Sequence, residues 1–291
     1  MNQPLPDLTP QPLGAAPNPA ARTQRQPEAS GDDGFVLPGT KARLTMRDRT
    51  SLLATIRTRL AARQGFALAT LNLDHLVKLR RDTAFAGAYG AHDLVTADGN
   101  PVVWLSALAG ERVALVPGAD LIGDLAAIAA ADGTAIALIG STSDALAAAA
   151  TRLTAIHPGL QVALTLAPTP SFDPTGPEAD EVIAEIGASG ASLVILALGA
   201  PKQERFAARA RKALPHCGFA SLGAALDFAA GHRARAPRVL RHLALEWAWR
   251  LALEPKRLIG RYLECAALLP RLTLAAVAAR PGSRAVTRTE K

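Results

Sequence analysis

The chain has 291 residues, a formal net charge of +7 and an apolar content of 49%. This is enough apolar material for a sizeable core and excludes wholesale disorder. Two cysteines are too few for a disulfide framework and suggest a reducing compartment. The first residues lack the basic and apolar regions of a signal peptide, and no run of 18 uncharged apolar residues predicts a membrane-spanning helix.

The two ends of the chain differ sharply in composition. The first 40 residues hold eight of the 21 prolines and no apolar period, so we predict a disordered tail over residues 1–40. Residues 232–291 carry 13 Lys or Arg against four acids, a net charge of +9, which leaves −2 for the rest. Such a segment could bind nucleic acid, an anionic membrane surface or a diphosphate-bearing ligand, or it could be a solvated charged face.

Between residues 41 and 231, short apolar strands alternate with Ala-rich helices. Strands that are apolar throughout are typical of a sheet covered on both faces. Strand and helix in alternation favour right-handed crossovers, so we predict an α/β catalytic domain with a doubly wound, mostly parallel, Rossmann-like sheet. The predicted strands are Phe66–Asn72, Leu94–Ala97, Ala135–Ile139, Val162–Leu166, Leu193–Leu198 and Phe219–Leu222. The predicted helices are Asp74–Tyr89, Pro101–Leu108, Ala119–Ala131, Ser143–Ile156, Pro177–Gly187 and Lys202–Leu214.

No strand is predicted after Gly231. Pro237–Leu253 and Lys256–Leu269 are predicted as two amphipathic helices, and they contain two of the three Trp residues. Arg and Trp interleaved on such helices are typical of a segment that lies at a membrane interface, although the apolar face could instead pack on the core. We therefore assign residues 232–291 to a basic helical appendage that binds a membrane or an acceptor.

Polar residues follow the first two predicted strands, and open α/β sheets bind ligands at the carboxyl ends of their strands. Thr70 and Asn72 point the same way, which suits sugar hydroxyls or a phosphate but also a turn with a helix cap. Asp98 follows the second strand, where burial would raise its pKa towards that of a general base. The alternative for Asp98 is a carboxylate that stabilises a turn.

Three further segments follow later strands. Gly140 begins a turn whose backbone amides could bind a phosphate, and helix capping explains the same residues equally well. Lys202, Gln203 and Glu204 occupy the first turn of a helix, which is more than a cap requires and favours a functional assignment. Asp227 could accept a hydrogen bond from a ribose or a base, or it could hold the appendage through one of its arginines.

Several motifs are absent from the sequence. His and Cys show no metal-ligand spacing, the predicted folded part has no Asp-x-Asp, and no nucleophile motif is present. If the substrate is a nucleotide sugar, a reaction without metal or cofactor is therefore expected. A nucleotide-binding oxidoreductase stays an alternative, although GxGxxG is missing. A non-enzymatic nucleic-acid binder is a second alternative, suggested by the basic composition.

Five segments together resemble the WecG/TagA/CpsF glycosyltransferases, glycosyltransferase family 26. They follow the family's order and spacing from about Lys41 to Leu269, and five motifs in order are far more specific than one. The chain departs from some members in having Gly-Ala-Ala, not Gly-Gly-Thr, before Leu226. The segments are Thr-Leu-Asn-Leu-Asp-His (70–75), Ala-Asp-Gly-Asn-Pro-Val-Val-Trp (97–104), Gly-Ala-Pro-Lys-Gln-Glu (199–204), Leu-Asp-Phe-Ala-Ala-Gly (226–231) with Arg235-Ala236-Pro237, and Leu-Glu-Trp-Ala-Trp-Arg-Leu (245–251) with Glu254-Pro255-Lys256-Arg257.

This resemblance implies an inverting, metal-independent transfer of a sugar in the synthesis of surface polysaccharides. The donor would be a UDP-sugar of N-acetylmannosamine, N-acetylmannosaminuronic acid or glucose type, and the acceptor a polyprenyl-diphosphate-linked saccharide. The protein would be cytoplasmic and peripheral on the inner face of the plasma membrane, with an anionic membrane surface as partner, no nucleic acid and no cofactor. A homo-oligomer is left open. Arg250 and Arg257 of the appendage would contact the diphosphate.

The resemblance also implies roles for residues of the α/β domain. Asp98 would be the general base, and Thr70 and Asn72 would orient the acceptor or the donor. Gln203 would line the pocket, and Asp227 would lie on the nucleotide side.

Overall fold

The computed structural model describes residues 34–232 and 236–281, without the side chains of Arg238 and His242. Most of the predicted tail lies outside this part of the chain. Its last residues are nevertheless structured, because strand β1 (Phe35–Val36) pairs antiparallel with β2 (Arg43–Leu44). Leu37 between them is fully buried, so the predicted tail extends too far, and the folded chain begins before residue 40.

Six further strands form one parallel sheet, as predicted, and each lies within one residue of its expected bounds. They are β3 (Phe66–Leu71), β4 (Leu94–Ala97), β5 (Ala135–Gly140), β6 (Gln161–Leu166), β7 (Leu193–Ala197) and β8 (Gly218–Ser221). Their order in space is β4-β3-β8-β7-β5-β6. All residues of β3, β4 and β8 are buried, whereas the edge strand β6 alternates between exposed and half-buried residues. The strands β4, β3, β8 and β7 are consecutive neighbours and run parallel, so their carboxyl ends lie side by side along one edge of the sheet.

Twelve helices are described in this part of the chain, and several differ from the predicted ones. The helix predicted over 74–89 is interrupted at Asp82, whose side chain accepts a hydrogen bond from the Phe85 N–H and starts a new helix. The helix predicted over 237–253 is likewise split around Ala244, which has a φ of 59°. The helices are α1 (Arg49–Ala61), α2 (Leu73–Arg81), α3 (Thr83–Gly90), α4 (Asn100–Leu108), α5 (Gly118–Ala131), α6 (Ser143–Ile156), α7 (Pro177–Ser189), α8 (Lys202–Ala213), α9 (Ala225–Ala230), α10 (Arg238–His242), α11 (Glu246–Leu253) and α12 (Pro255–Ala279).

Helix α12 continues ten residues beyond its predicted end and contains Pro270. By length and composition alone it could cross a membrane, since an 18-residue window within its 25 residues has a mean hydropathy of 1.4. The prediction against such a helix required an uncharged run, and this stretch combines apolar residues with a few charges. One stripe of α12 packs against α2 and α4. Its buried residues are Leu258, Cys265, Leu268, Leu272 and Ala276, and its exposed large apolar residues are Ile259, Leu263, Leu274 and Val277.

Candidate active site

Asp98 follows β4 and lies beside the end of β3. Its backbone N–H donates to the Leu71 carbonyl at 2.7 Å, which holds the turn against the neighbouring strand. Its carboxylate accepts hydrogen bonds from the Thr70 hydroxyl and from the Gly118 N–H at the start of α5. The structure therefore brings Thr70 and Asp98 together at the carboxyl edge, as neighbouring parallel strands require.

Gly118 is a member of this site that the sequence did not suggest. A Cβ atom at this position would lie 3.3 Å from Thr70 Oγ1 and 3.2 Å from the Leu222 carbonyl oxygen. A side chain here would push against both atoms, so the close approach of the Gly118 N–H to Asp98 favours glycine. Because the contributing group is a backbone donor, no side-chain pattern in the sequence points to it.

The surroundings of Asp98 raise its pKa from 3.8 to about 6. Burial is the largest cause, and the negative charge of Glu246 adds to it. The positive charge of Arg250 and the hydrogen bonds from Thr70 and Gly118 act in the opposite direction. A carboxylate with a pKa of about 6 holds a large fraction of its base form at neutral pH and binds a proton readily.

Helix α11 brings two charges to Asp98. Arg250 was predicted to act at the site, whereas Glu246 was not. Both affect Asp98 electrostatically, although they come from the appendage, about 150 residues along the chain. Arg257, the other predicted arginine, forms an ion pair with Glu254 at a half-exposed position near the start of α12.

Asn72 performs the capping role that was the alternative to a binding role. Its Oδ1 accepts a hydrogen bond from the His75 N–H at 3.0 Å and starts α2. The side chain also lies beside the β4–α4 turn, because a Cβ at Gly99 would be 4.0 Å from the Asn72 Cβ. Capping uses Oδ1 and leaves the amide N–H₂ group as a donor towards a ligand.

The first turn of α8 contains Lys202, Gln203 and Glu204, in different environments. Lys202 Nζ is exposed and donates to the Pro170 carbonyl at 3.3 Å. Gln203 is only 2% exposed; its Oε1 accepts from the Gly223 N–H at 3.1 Å and its Nε2 donates to Glu204 Oε1 at 2.9 Å. Gln203 thus joins the loops after β7 and β8.

Glu204 was grouped with these residues but given no role of its own. It is fully buried, and its Oε2 has no hydrogen-bond partner among the described residues. Burial raises its pKa to about 7, while the hydrogen bond from Gln203 acts in the opposite direction. Nothing in the sequence indicates that this acidic residue in the first turn of a helix is buried.

Gly140 and Asp227 meet at the same edge of the sheet. Gly140 has a φ of 114°, and a Cβ there would lie 2.6 Å from the Ala197 carbonyl group, so only glycine fits. The next residue, Ser141, donates its hydroxyl to Asp227 at 2.5 Å. Thr142 then caps α6, as the capping alternative predicts. Arg235 and the side chain of Arg238, the proposed partners of Asp227, lie outside the described residues.

A charged cluster attaches α12 to α2 beside this edge. Asp74 accepts from Lys78 at 2.8 Å and lies 3.5 Å from Arg261 of α12. Lys78 also donates to the Ala200 carbonyl at 3.1 Å, in the turn before α8. A cavity of about 450 Å³ lies between these helices. Among the described residues, no group of three His, Cys, Asp or Glu side chains could hold a metal ion.

Comparison with known families identifies the chain. A model of the glycosyl transferase WecG/TagA/CpsF family matches residues 40–282. The match covers the parallel sheet, the carboxyl-edge loops and the helices of the appendage, and it agrees with the family suggested by the five sequence segments. It supports a glycosyltransferase and gives no support to an oxidoreductase. The chain therefore belongs to the WecG/TagA/CpsF family and is a glycosyltransferase of cell-surface polysaccharide synthesis.

Proposed function

We propose that this glycosyltransferase moves a sugar from a UDP-sugar to a polyprenyl-diphosphate-linked saccharide, with inversion at the anomeric carbon and without a metal ion. The observation that carries the proposal is Asp98, a half-buried carboxylate with a pKa of about 6 that accepts a hydrogen bond from Thr70 and is acted on by the charge of Arg250. Asp98 is the base, and Thr70 holds its carboxylate in place.

The reaction follows from these positions. An acceptor hydroxyl is a poor nucleophile near neutral pH, so its proton must leave as the new bond forms. Asp98 takes this proton while the acceptor oxygen attacks C1 of the donor sugar from the face opposite UDP. The bond between C1 and the diphosphate oxygen breaks, and UDP leaves with its electron pair. Attack from the opposite face inverts the configuration at C1.

Negative charge develops on the leaving diphosphate and must be stabilised. Arg250 is a cation that acts on Asp98, and charge-assisted hydrogen bonds from a guanidinium group suit diphosphate oxygens. Gly140, at the end of β5, and Asp227, which accepts from the adjacent Ser141, form the nucleotide side of the site. Arg257 is half-exposed near the start of α12, and it binds the diphosphate of the lipid-linked acceptor.

The appendage binds the inner face of the plasma membrane as a peripheral element. Trp247, Leu253 and Leu263 are 53%, 56% and 65% exposed, and they lie among basic residues of α11 and α12. Exposed apolar side chains flanked by Lys and Arg suit an anionic interface. The opposite stripe of α12 packs on the α/β domain, which favours binding to the surface over spanning it.

The test is a screen of UDP-sugars with a short-chain prenyl-diphosphate disaccharide as acceptor, measured by release of UDP. We expect acceptor-dependent release with at least one donor, unchanged by EDTA, and a product of inverted configuration by NMR. The control is Asp98→Asn, which should release little UDP with the same pair. Strict dependence on a divalent ion would contradict the metal-free reaction, and retention at C1 would contradict direct attack.

A further inference from the structure

We propose that Glu204 is a positioning residue for the base: through Gln203 it fixes the loop after β8, and this loop holds the Gly118 N–H against Asp98. The inference rests on the proposed role of Asp98. Glu204 contacts none of the reacting atoms in this arrangement, and it acts through two residues and one loop.

The first step is the orientation of the Gln203 amide. Its Nε2 donates to Glu204 Oε1 at 2.9 Å, and its Oε1 accepts from the Gly223 N–H at 3.1 Å. A carboxyl oxygen in this position accepts the hydrogen bond, so the NH₂ end of the amide must face Glu204. The oxygen end is then left facing Gly223. With the amide reversed, its NH₂ group would face the Gly223 N–H, and two donors would oppose each other.

The second step links Gly223 to the base. Leu222 precedes Gly223, and its carbonyl oxygen would lie 3.2 Å from a Cβ placed on Gly118. The loop after β8 and the start of α5 are therefore in direct contact, and an added methyl group would push them apart. The Gly118 N–H donates to the Asp98 carboxylate. A displacement of this loop changes the contact that keeps the Gly118 N–H within hydrogen-bonding distance of Asp98.

The chemistry of Glu204 argues against a packing role alone. It is fully buried and leaves Oε2 without a hydrogen-bond partner among the described residues, an arrangement that an apolar side chain would avoid. The charged or titratable groups that act on it are Lys78 and Asp74 of α2, and it acts in turn on Tyr89 of α3. Burial raises the pKa of Glu204 to about 7. Protonated on Oε2 or ionised, the carboxyl group still accepts from Gln203 through Oε1.

The test is a ¹³C NMR titration of the Asp98 carboxyl group in protein labelled at aspartate, with Asp98→Asn used to assign the signal. Glu246, Arg250, Thr70 and Gly118 act on Asp98, and Asp98 also acts on Tyr89 of α3. Of these groups, only Gly118 is displaced in this scheme. In Glu204→Leu we expect the pKa of Asp98 to rise by at least about 0.5, because a hydrogen bond to its charged form is weakened. The Gly118 and Gly223 amides should exchange with solvent about tenfold faster, because they are less firmly held.

Glu204→Gln is the conservative variant, since its Oε1 still accepts from Gln203, and we expect it to restore the Asp98 titration and the slow exchange. Ile186→Ala is the control for general destabilisation: it opens the core between α7 and the sheet and should leave the Asp98 titration unchanged. If Glu204→Leu does not fold, Gln203→Met removes both hydrogen bonds and should produce the same two shifts.

The proposal is overturned if the titration midpoint of Asp98 and the exchange of Gly118 are unchanged in the variant that folds, or if Ile186→Ala shifts them equally. These readouts need no substrate. An active Asp98→Asn enzyme together with the expected shifts would refute the base assignment and leave the link from Glu204 intact. An inactive Asp98→Asn enzyme without the shifts would refute only that link.

Discussion

Asp98→Asn should stabilise the folded protein while it removes activity. The carboxylate has its pKa raised from 3.8 to about 6 in the folded state, so the folded state holds the proton more tightly than the unfolded state does. The resulting contribution to stability is greatest below pH 3.8 and falls as the pH rises through about 6. At pH 8 Asp98 is ionised in both the folded and the unfolded state, and the full cost of holding its charge in the folded protein lowers the stability.

The magnitude follows from the two pKa values. A difference of this size corresponds to about 3 kcal/mol at pH 8, and partial access to solvent reduces it, so we expect a gain of about 1–3 kcal/mol for asparagine. The substituted amide would keep an oxygen that accepts from Thr70 and Gly118 without carrying the charge. At pH 5 the wild-type group is mostly protonated in the folded state, and the gain should be about half as large.

The assay is urea unfolding of both proteins at pH 5 and pH 8, with turnover measured on the same preparations. Turnover should fall by roughly 10²–10⁴, the usual contribution of a positioned base. Wild-type kcat/KM should decline below a pH of about 6, where Asp98 gains its proton. A variant that is no more stable than the wild type at pH 8, or a gain that is equal at both pH values, would refute the reasoning.

Asp124→Asn is the matched control, with the opposite expected sign. Asp124 is buried and accepts from Arg49 Nε at 2.7 Å as part of a bidentate ion pair. Removal of this carboxylate leaves the guanidinium group without its charged partner. The control variant should therefore be less stable than the wild type at pH 8.

Three further predictions concern other parts of the molecule. Arg250→Ala should lower transfer to a lipid-linked acceptor more than it lowers hydrolysis of the donor, measured as UDP release with and without acceptor; equal losses would indicate a structural role. The full chain should sediment with anionic vesicles at low salt and be partly released at high salt, and Leu263→Ser should weaken this binding without lowering the melting temperature. Gly140→Ala should destabilise the protein by more than about 2 kcal/mol, because its Cβ meets the Ala197 carbonyl group at 2.6 Å, whereas Gly87→Ala in α3, with open space around it, should raise the melting temperature slightly.

Much of the sheet and half of the site could be predicted from the sequence, because each depends on local patterns. Buried strands such as Leu193–Ala197 are continuous apolar runs between polar turns, and such runs have clear ends. Thr70 and Asp98 could be placed together because parallel neighbouring strands bring their carboxyl ends to one edge. The capping residue Asp82, by contrast, sits inside a continuous helical period, and the pattern gave no break there.

The remainder depends on contacts between distant segments. Nothing in the order of residues in α11 shows which of its charged side chains approaches β4, so Glu246 was missed although Arg250 was identified from the family resemblance. Helix α1 was also missed, although Leu52, Ile56 and Leu60 recur every four residues and are buried. That spacing is a signal that sequence reasoning could have used.

The contact between α12 and the N-terminal hairpin has a consequence for biosynthesis. Leu37 and Leu44 belong to the same buried cluster as Leu268, Leu272 and Ala276, and a Cβ on Gly39 would lie 2.9 Å from the Ala275 Cβ. The hairpin precedes all six strands of the parallel sheet in the chain and α12 follows them, so this part of the core cannot close until α12 has been made. On the ribosome, the emerging chain would form much of the sheet first and expose an apolar surface until α12 arrives. Helix α11, which brings Arg250 to Asp98, also follows β8 in the chain, so the charged site is completed only after all six strands have been made.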